Sequence, residues 1–252
     1  MELNTIFLLG ISFFAGLVDA IAGGGGLLLL PALLTVGIPP HLALGTNKLS
    51  ATFGSFTASR ICIIKGMVQP RFWLIMIFST LQGSFLGALT AWLLSPEWLK
   101  KGLSIVIFGA ATYILLKRPH IQNNTLQPLA FAPRGKSILL GHLLGFYDGI
   151  AGPGVGSFWT MANMTFFDLN LVEASCLARL MNFVSNVVAL ITFLAVGNVD
   201  IGLGLTLGTT LMIGAYLGAH SALKYGAALI RPLFIAMFVL LGTRLCWQVF
   251  FH

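Results

Sequence analysis

The 252-residue chain is 57% apolar and only 8% charged, with a mean hydropathy of +0.94, which excludes an ordinary soluble domain and points to an integral membrane protein. Its charge of +7 and isoelectric point near 9.7 would raise nucleic-acid binding in a soluble chain, but the basic residues sit mostly between apolar tracts, where membrane topology accounts for them. Three dispersed cysteines, Cys62, Cys176 and Cys246, have no CxxC or Cys/His spacing and predict neither a metal site nor a disulfide framework.

The first apolar tract, residues 3–21, lacks a basic leader and a cleavage site, so it is expected to stay in the mature protein. It runs into Gly16-Leu-Val-Asp19-Ala-Ile-Ala-Gly23-Gly24-Gly25-Gly26, an aspartate and four glycines that break a helix inside apolar surroundings. Tracts at 43–64, 72–94 and 98–116 follow, each long enough as a helix to cross about 30 Å of hydrocarbon. The polar stretch Lys117–Lys136, with Pro128 and Pro133, reads as a linker. Beyond it come 136–167, carrying Gly145-Phe-Tyr-Asp148-Gly-Ile-Ala-Gly152-Pro-Gly154, and then crossing-length tracts at 174–196, 201–223 and 230–251.

These tracts form an internal repeat. Gly16, Asp19, Ile21, Ala22, Gly23 and Gly25 recur 129 residues later as Gly145, Asp148, Ile150, Ala151, Gly152 and Gly154. With an offset of 131, Lys48-Leu49 aligns with Arg179-Leu180, Gly66 with Gly197, Gly83 with Gly214, and Leu-Gly-Ala 86–88 with 217–219. The chain therefore divides into a first transmembrane repeat, 1–117, a linker, 118–135, and a second repeat, 136–252.

Loop charges bear on how each repeat crosses. If 3–36 and 136–167 each cross once, loop Lys and Arg split six (Lys65, Arg71, Lys117, Arg118, Arg134, Lys136) against four (Lys100, Lys101, Lys224, Arg231). If both are re-entrant hairpins turning at their glycines, Lys224 and Arg231 join the first group and the split is eight against two. The positive-inside rule favours the second arrangement. It predicts an all-α membrane protein of two inverted repeats, each a broken hairpin plus three transmembrane helices, with a cytoplasmic linker and both termini periplasmic.

A chain that reverses within the membrane exposes backbone N–H groups that hydrocarbon cannot satisfy, so the breaks must face protein or water. The segments after them, 27–35 and 157–167, then begin half-helices whose free N–H groups and positive dipole ends attract anions. Gly23, Gly24, Gly25, Gly26, Gly152, Gly154, Gly156 and Ser157 are the expected backbone part of such a site. Gly83, Gly87, Gly214 and Gly218 instead fit close helix packing. Asp19 and Asp148 lie in apolar tracts, where a carboxylate costs at least about 2.5–3.5 kcal/mol. Two uses are open to them: holding the turn by accepting its N–H groups, or carrying protons. Asn47, Lys48 and Ser55 in one repeat, and Arg179, Asn182 and Asn186 in the other, add cations with amide or hydroxyl donors. Lys48 and Ser55 are seven residues apart, as are Arg179 and Asn186, so each pair shares a helix face. Either these groups bind a small anion, or Lys48 and Arg179 neutralise Asp19 and Asp148, fixing each hairpin to its neighbour; the two can coexist if the anion competes for the cation.

His142 and His220 have no partner at ligand spacing and read as hydrogen-bonded interior residues. Trp73, Trp92, Trp98 and Trp247, near tract ends, suit interfacial anchoring. No Walker motif, GxSxG or HExxH occurs, so neither an enzyme nor a bound cofactor is expected.

The element Asp19-Ala-Ile-Ala-Gly-Gly-Gly-Gly26 with Pro31, the element Gly45-Thr-Asn-Lys-Leu49, and the segment Gly145-Phe-Tyr-Asp148-Gly followed by Gly152-Pro-Gly-Val-Gly-Ser-Phe158 together resemble the TauE/SafE membrane transporter family, in particular its YfcA-like branch. The resemblance spans essentially the whole chain. It implies a multi-pass transporter of the bacterial inner membrane for small sulfur-containing anions such as sulfite, sulfonates or sulfoacetate. It carries over to Asp19, Gly23–Gly26, Asn47, Lys48, Asp148, Gly152, Gly154, Arg179 and Asn182. The expectation is a secondary transporter working by alternating access, with the lipid bilayer, the anion and protons as its partners. An anion channel, or the membrane subunit of a larger complex, is the alternative.

Overall fold

A computed structural model describes residues 2–99, 101 and 133–225, and among these it is helical with no strand. In chain order the helices are α1 (Glu2–Ala22), α2 (Gly26–Thr35), α3 (Pro40–Ile64), a 3₁₀ turn (Pro70–Trp73) leading into α4 (Leu74–Leu93), α5 (Arg134–Ile150), α6 (Val155–Phe167), α7 (Leu171–Ala195) and α8 (Ile201–Tyr225). Among the described residues four stretches are long and apolar enough to cross a membrane: Asn4–Ala22, Pro70–Leu93, Leu171–Ala195 and Ile201–Tyr225. The last three coincide with expected tracts. The 43–64 tract also forms a long helix, α3, but Thr46, Asn47, Lys48, Ser50, Ser55 and Ser59 make it too polar for that group, and all six are buried. Such a helix lines an interior rather than facing lipid. The tracts at 98–116 and 230–251, Trp247, and nearly all of the linker lie outside the described residues.

Local chemistry sets several helix ends. Asn170 caps α7, its side-chain oxygen accepting the N–H groups of Val172 and Glu173, both at 3.0 Å. Gly66 and Gly197, equated by the repeat, follow α3 and α7 with φ of 71° and 73°.

Packing repeats with the halves exchanged. A Cβ added at Gly83 or Gly87 on α4 would lie 2.5 or 2.1 Å from the carbonyl oxygens of His142 and Phe146 on α5. At the equivalent Gly214 and Gly218 on α8 it would lie 2.0 or 2.5 Å from those of Phe13 and Leu17 on α1. Phe13 and Leu17 are the residues that the 129-residue offset sets against His142 and Phe146. The first helix of each broken pair therefore lies against the last described helix of the other half. Backbones touch there because no side chain intervenes, as expected of small-residue helix interfaces.

Three expectations need correction. Cys62 on α3 and Cys176 on α7 form a disulfide, with Cα atoms 5.6 Å apart, although 114 residues separate them. Neighbouring helices bring the two sulfurs together, which no local spacing could signal. Alkylation of the denatured, unreduced protein is therefore expected to label one thiol per chain, Cys246, and all three after reduction, as counted by intact mass; three labelled thiols before reduction would show the bond absent. Trp73 is 6% exposed and stacks edge-on against Phe167 at 5.0 Å, so it fills the core rather than anchoring at an interface, whereas Trp92 and Trp98 are exposed. His220 is exposed and, among the described residues, hydrogen-bonds the Tyr216 carbonyl of its own helix, so it does not fit the interior reading. His142, half-buried, reaches the Ile138 carbonyl and Gln82.

Candidate functional site

Both glycine motifs interrupt a helix, and the interruptions touch each other. Gly23 (φ 75°) ends α1, while Gly152 (φ 82°) and Gly154 (φ 75°) separate α5 from α6. These are left-handed conformations that glycine adopts without penalty. A Cβ on Gly23 would sit 2.4 Å from the Gly156 carbonyl carbon, and one on Gly156 would sit 2.6 Å from the Gly23 Cα. Across this contact Ser157 donates its N–H to Gly23 O at 3.2 Å and its hydroxyl to Ala22 O at 2.8 Å, so the start of α6 covers carbonyls left open at the end of α1. The Gly25 N–H goes to Asp19 Oδ1 at 2.9 Å. Two of the N–H groups expected to await a ligand thus already have protein acceptors.

The two aspartates are used differently. Asp19 holds its own turn through Gly25. Asp148 is ion-paired: Lys48 Nζ lies 2.6 Å from its Oδ1 and 2.5 Å from its backbone oxygen, and Ser185 Oγ donates to Oδ2. The Lys48 and Asp148 side chains are 1% and 2% exposed. The pairing of Lys48 with Asp19 and of Arg179 with Asp148, one of the two readings open in the sequence, is not the one formed here. Because the broken pairs cross over, the Gly152 break faces α3, and a Cβ at Gly152 would lie 3.0 Å from Lys48 Nζ. Arg179 pairs with neither aspartate. Its Nη1 donates to Cys62 Sγ at 3.1 Å and Cys176 Sγ at 3.4 Å, and its Nε and Nη2 have no hydrogen-bond partner among the described residues.

A cavity of about 20 Å³ lies where the breaks meet α3, α7 and α8, room for about one water. Of the residues singled out in the sequence, Asp19, Gly23, Gly25, Gly26, Asn47 and Lys48 line it from the first half. Asp148, Gly152, Gly154, Asn182 and Asn186 line it from the second. Gly24, Ser55, Gly156, Ser157 and Arg179 are not in its wall. Ser55 is buried but bonds the Ala51 and Thr52 carbonyls of its own helix, and Gly156 and Ser157 are occupied against Gly23 and Ala22. Asn186 Nδ2 donates to Asn182 Oδ1 at 3.0 Å, and Asn182 Nδ2 lies 3.5 Å from Asp19 Oδ2, so an amide chain links α7 to the first break. The Asn47 side-chain oxygen is buried without a partner among the described residues.

Ala51, Val155 and Leu211 also line the cavity, and Ser185 supports Asp148, without having been singled out. Ser185 had a readable signal: it lies three residues after Asn182 and so on the same stripe of α7. Leu211 had none, since it belongs to an apolar tract.

Comparison with known proteins finds membrane transporters. The chain is 37% identical over 243 residues to "Probable membrane transporter protein ORF9" of Sinorhizobium sp, covering 95% of this chain and 91% of that one. It is 37% identical to a "Probable membrane transporter protein" of Haemophilus influenzae (96% and 94% covered) and 35% identical to "Probable membrane transporter protein YfcA" of Escherichia coli K12 (96% and 90%). No solved structure matches the chain. Residues 8–245 match the family described as Sulfite exporter TauE/SafE. With a family match of that extent and relatives aligned over nearly their whole length, the chain belongs to the TauE/SafE family of membrane transporters.

Proposed function

We propose that the protein is a secondary transporter that carries a small anion across the bacterial inner membrane by alternating access, and that the anion is sulfur-containing, of the class of sulfite, sulfonates or sulfoacetate. One observation carries this reading: the buried ammonium of Lys48 borders a cavity at the meeting point of two broken helices, with the amides of Asn47, Asn182 and Asn186 around it. An ammonium with several amide donors offers an oxyanion charge and hydrogen bonds together. The anion competes with Asp148 for Lys48, so the Lys48–Asp148 contact opens when substrate binds. A cavity sized for one water fits an occluded carrier better than a permanently open channel. The exchanged helix contacts and the eight-to-two charge split support two inverted halves on either side of a cytoplasmic linker, with both termini periplasmic. The relatives' family description, sulfite exporter, supports the substrate class.

Purified protein is expected to gain thermal stability from sulfite, methanesulfonate or sulfoacetate over sulfate and carboxylate controls. Reconstituted vesicles are expected to show saturable flux of the same anions. Asn47→Ala and Asn186→Ala should each raise the half-saturating concentration about tenfold or more, the loss of one hydrogen bond to a charged ligand. Unsaturable flux would favour a channel, and unchanged half-saturation in both variants would place the anion elsewhere.

A further inference from the structure

We propose that Asp19 is the proton carrier of this transporter, so that each monovalent anion moves together with one proton bound to Asp19 Oδ2. The inference rests on the anion-transport reading above. Asp19, Asp148 and Lys48 line the cavity, Arg179 lies outside its wall but within electrostatic reach of Asp19, and with all four ionised they sum to zero. Placing an anion among them leaves a net negative charge in a poorly solvated site, and uncompensated buried charge is costly. A sulfonate stays ionised near neutral pH, so the compensating proton has to sit on the protein.

The structure distinguishes the two carboxyls. Both Asp148 oxygens are taken, one by the Lys48 ammonium and the other by the Ser185 hydroxyl, and the side chain is only 2% exposed. Protonating it would put a hydroxyl against an ammonium. Asp19 has no cation within ion-pair distance among the described residues, is half-buried, and lines the cavity, which has room for about one water beside it. Its Oδ1 accepts the Gly25 N–H at 2.9 Å, while among the described residues its Oδ2 has only the long 3.5 Å contact from Asn182. The two oxygens therefore divide the labour: Oδ1 keeps holding the turn whether or not Oδ2 carries a proton. The charges that act on Asp19 are Arg179 from α7, Asp148 from the second break and Lys48 from α3. Helix α2 contains no titratable side chain, nor does α6, and α8 presents the backbone of Leu211 and Ala215 to α1 at Gly16. Arg179, the natural counter-ion of Asp19 by the repeat, is held instead at the Cys62 and Cys176 sulfurs. The exchange is balanced: the Asp19 carboxylate takes a proton from water on the side where the anion enters and returns it on the side where the anion leaves.

The test uses full-length protein in vesicles with labelled methanesulfonate, sulfoacetate and sulfite as probes. An acid-outside gradient is expected to drive methanesulfonate accumulation of about tenfold per pH unit, the ratio that one proton per monoanion sets. Asp19→Asn should lose gradient-driven accumulation and retain measurable exchange of labelled for unlabelled anion, at a rate that no longer varies with pH. Asp148→Asn should lose both. In detergent, wild-type protein should take up about one proton per methanesulfonate bound, read with a pH indicator, a measurement that needs no variant to fold. Accumulation by Asp19→Asn equal to wild type, or anion binding without proton uptake, overturns the assignment while leaving anion transport intact. Movement of none of the probes by wild type overturns the anion-transport reading, and the assignment with it.

Discussion

Lys48→Ala is expected to abolish transport and to lower the stability of the folded protein by about 3–5 kcal/mol, the usual consequence of removing one partner of a buried ion pair. The size follows from burial: Lys48 and Asp148 are 1% and 2% exposed, so the carboxylate left behind keeps the Ser185 hydroxyl but loses its counter-charge in a poorly solvated site. Asp148→Asn should destabilise for the mirror reason, leaving the ammonium with neutral acceptors alone. The double variant Lys48→Met/Asp148→Asn removes both charges and should recover much of the stability while staying inactive. Melting in detergent alongside vesicle uptake separates the two effects. A double variant no more stable than either single one would show that the pair matters to the fold through packing rather than charge.

Gly23→Ala should be strongly damaging, because it combines a left-handed backbone with a backbone clash. The left-handed backbone at Gly23 (φ 75°) costs an alanine about 1–2 kcal/mol. Driving its methyl against the Gly156 backbone at 2.4 Å adds about 1–3 kcal/mol and pushes the two broken helices apart. Gly37→Ala separates these contributions, because Gly37 has φ 90° but nothing within 4 Å of an added Cβ, so only the conformational cost applies. Gly10→Ala, on a regular helix with open space around it, should be close to neutral or slightly stabilising. Gly23→Ala should therefore melt well below Gly37→Ala and lose transport, with Gly37→Ala active. Equal melting temperatures for the two would mean that the breaks do not bear on each other.

Much of the fold was legible because its signals are local. Composition, tract length and the glycine runs are properties of neighbouring residues, and they placed α4, α7 and α8 and both breaks within a few residues of where the structure has them. The paired motifs also marked Asp19, Lys48, Asp148, Asn182 and Asn186, which the structure gathers around one cavity. Helical spacing grouped Ser55 with Lys48, but two residues seven apart on one face lie about 10 Å apart along the axis, and Ser55 stays outside the cavity wall, bonding the Ala51 and Thr52 carbonyls of its own helix. It also could not tell that Trp73 packs inward on Phe167, since a tryptophan near a tract end looks the same whether it meets lipid or a neighbouring helix.

Taken alone, the sequence determined that this is a helical membrane protein of two related halves, each broken at glycines beside an aspartate. Apolar run lengths and a repeating motif are written along one dimension and need no partner to be recognised. Only the tertiary structure decided which groups meet: Lys48 with Asp148 rather than Asp19, Arg179 with the Cys62 and Cys176 sulfurs, Gly23 with Gly156. Those choices depend on how helices about a hundred residues apart cross over one another. A shift of one helical turn, about 5.4 Å, is about twice the 2.6 Å contact that joins Lys48 to Asp148, so the crossing of the helices decides whether that pair forms.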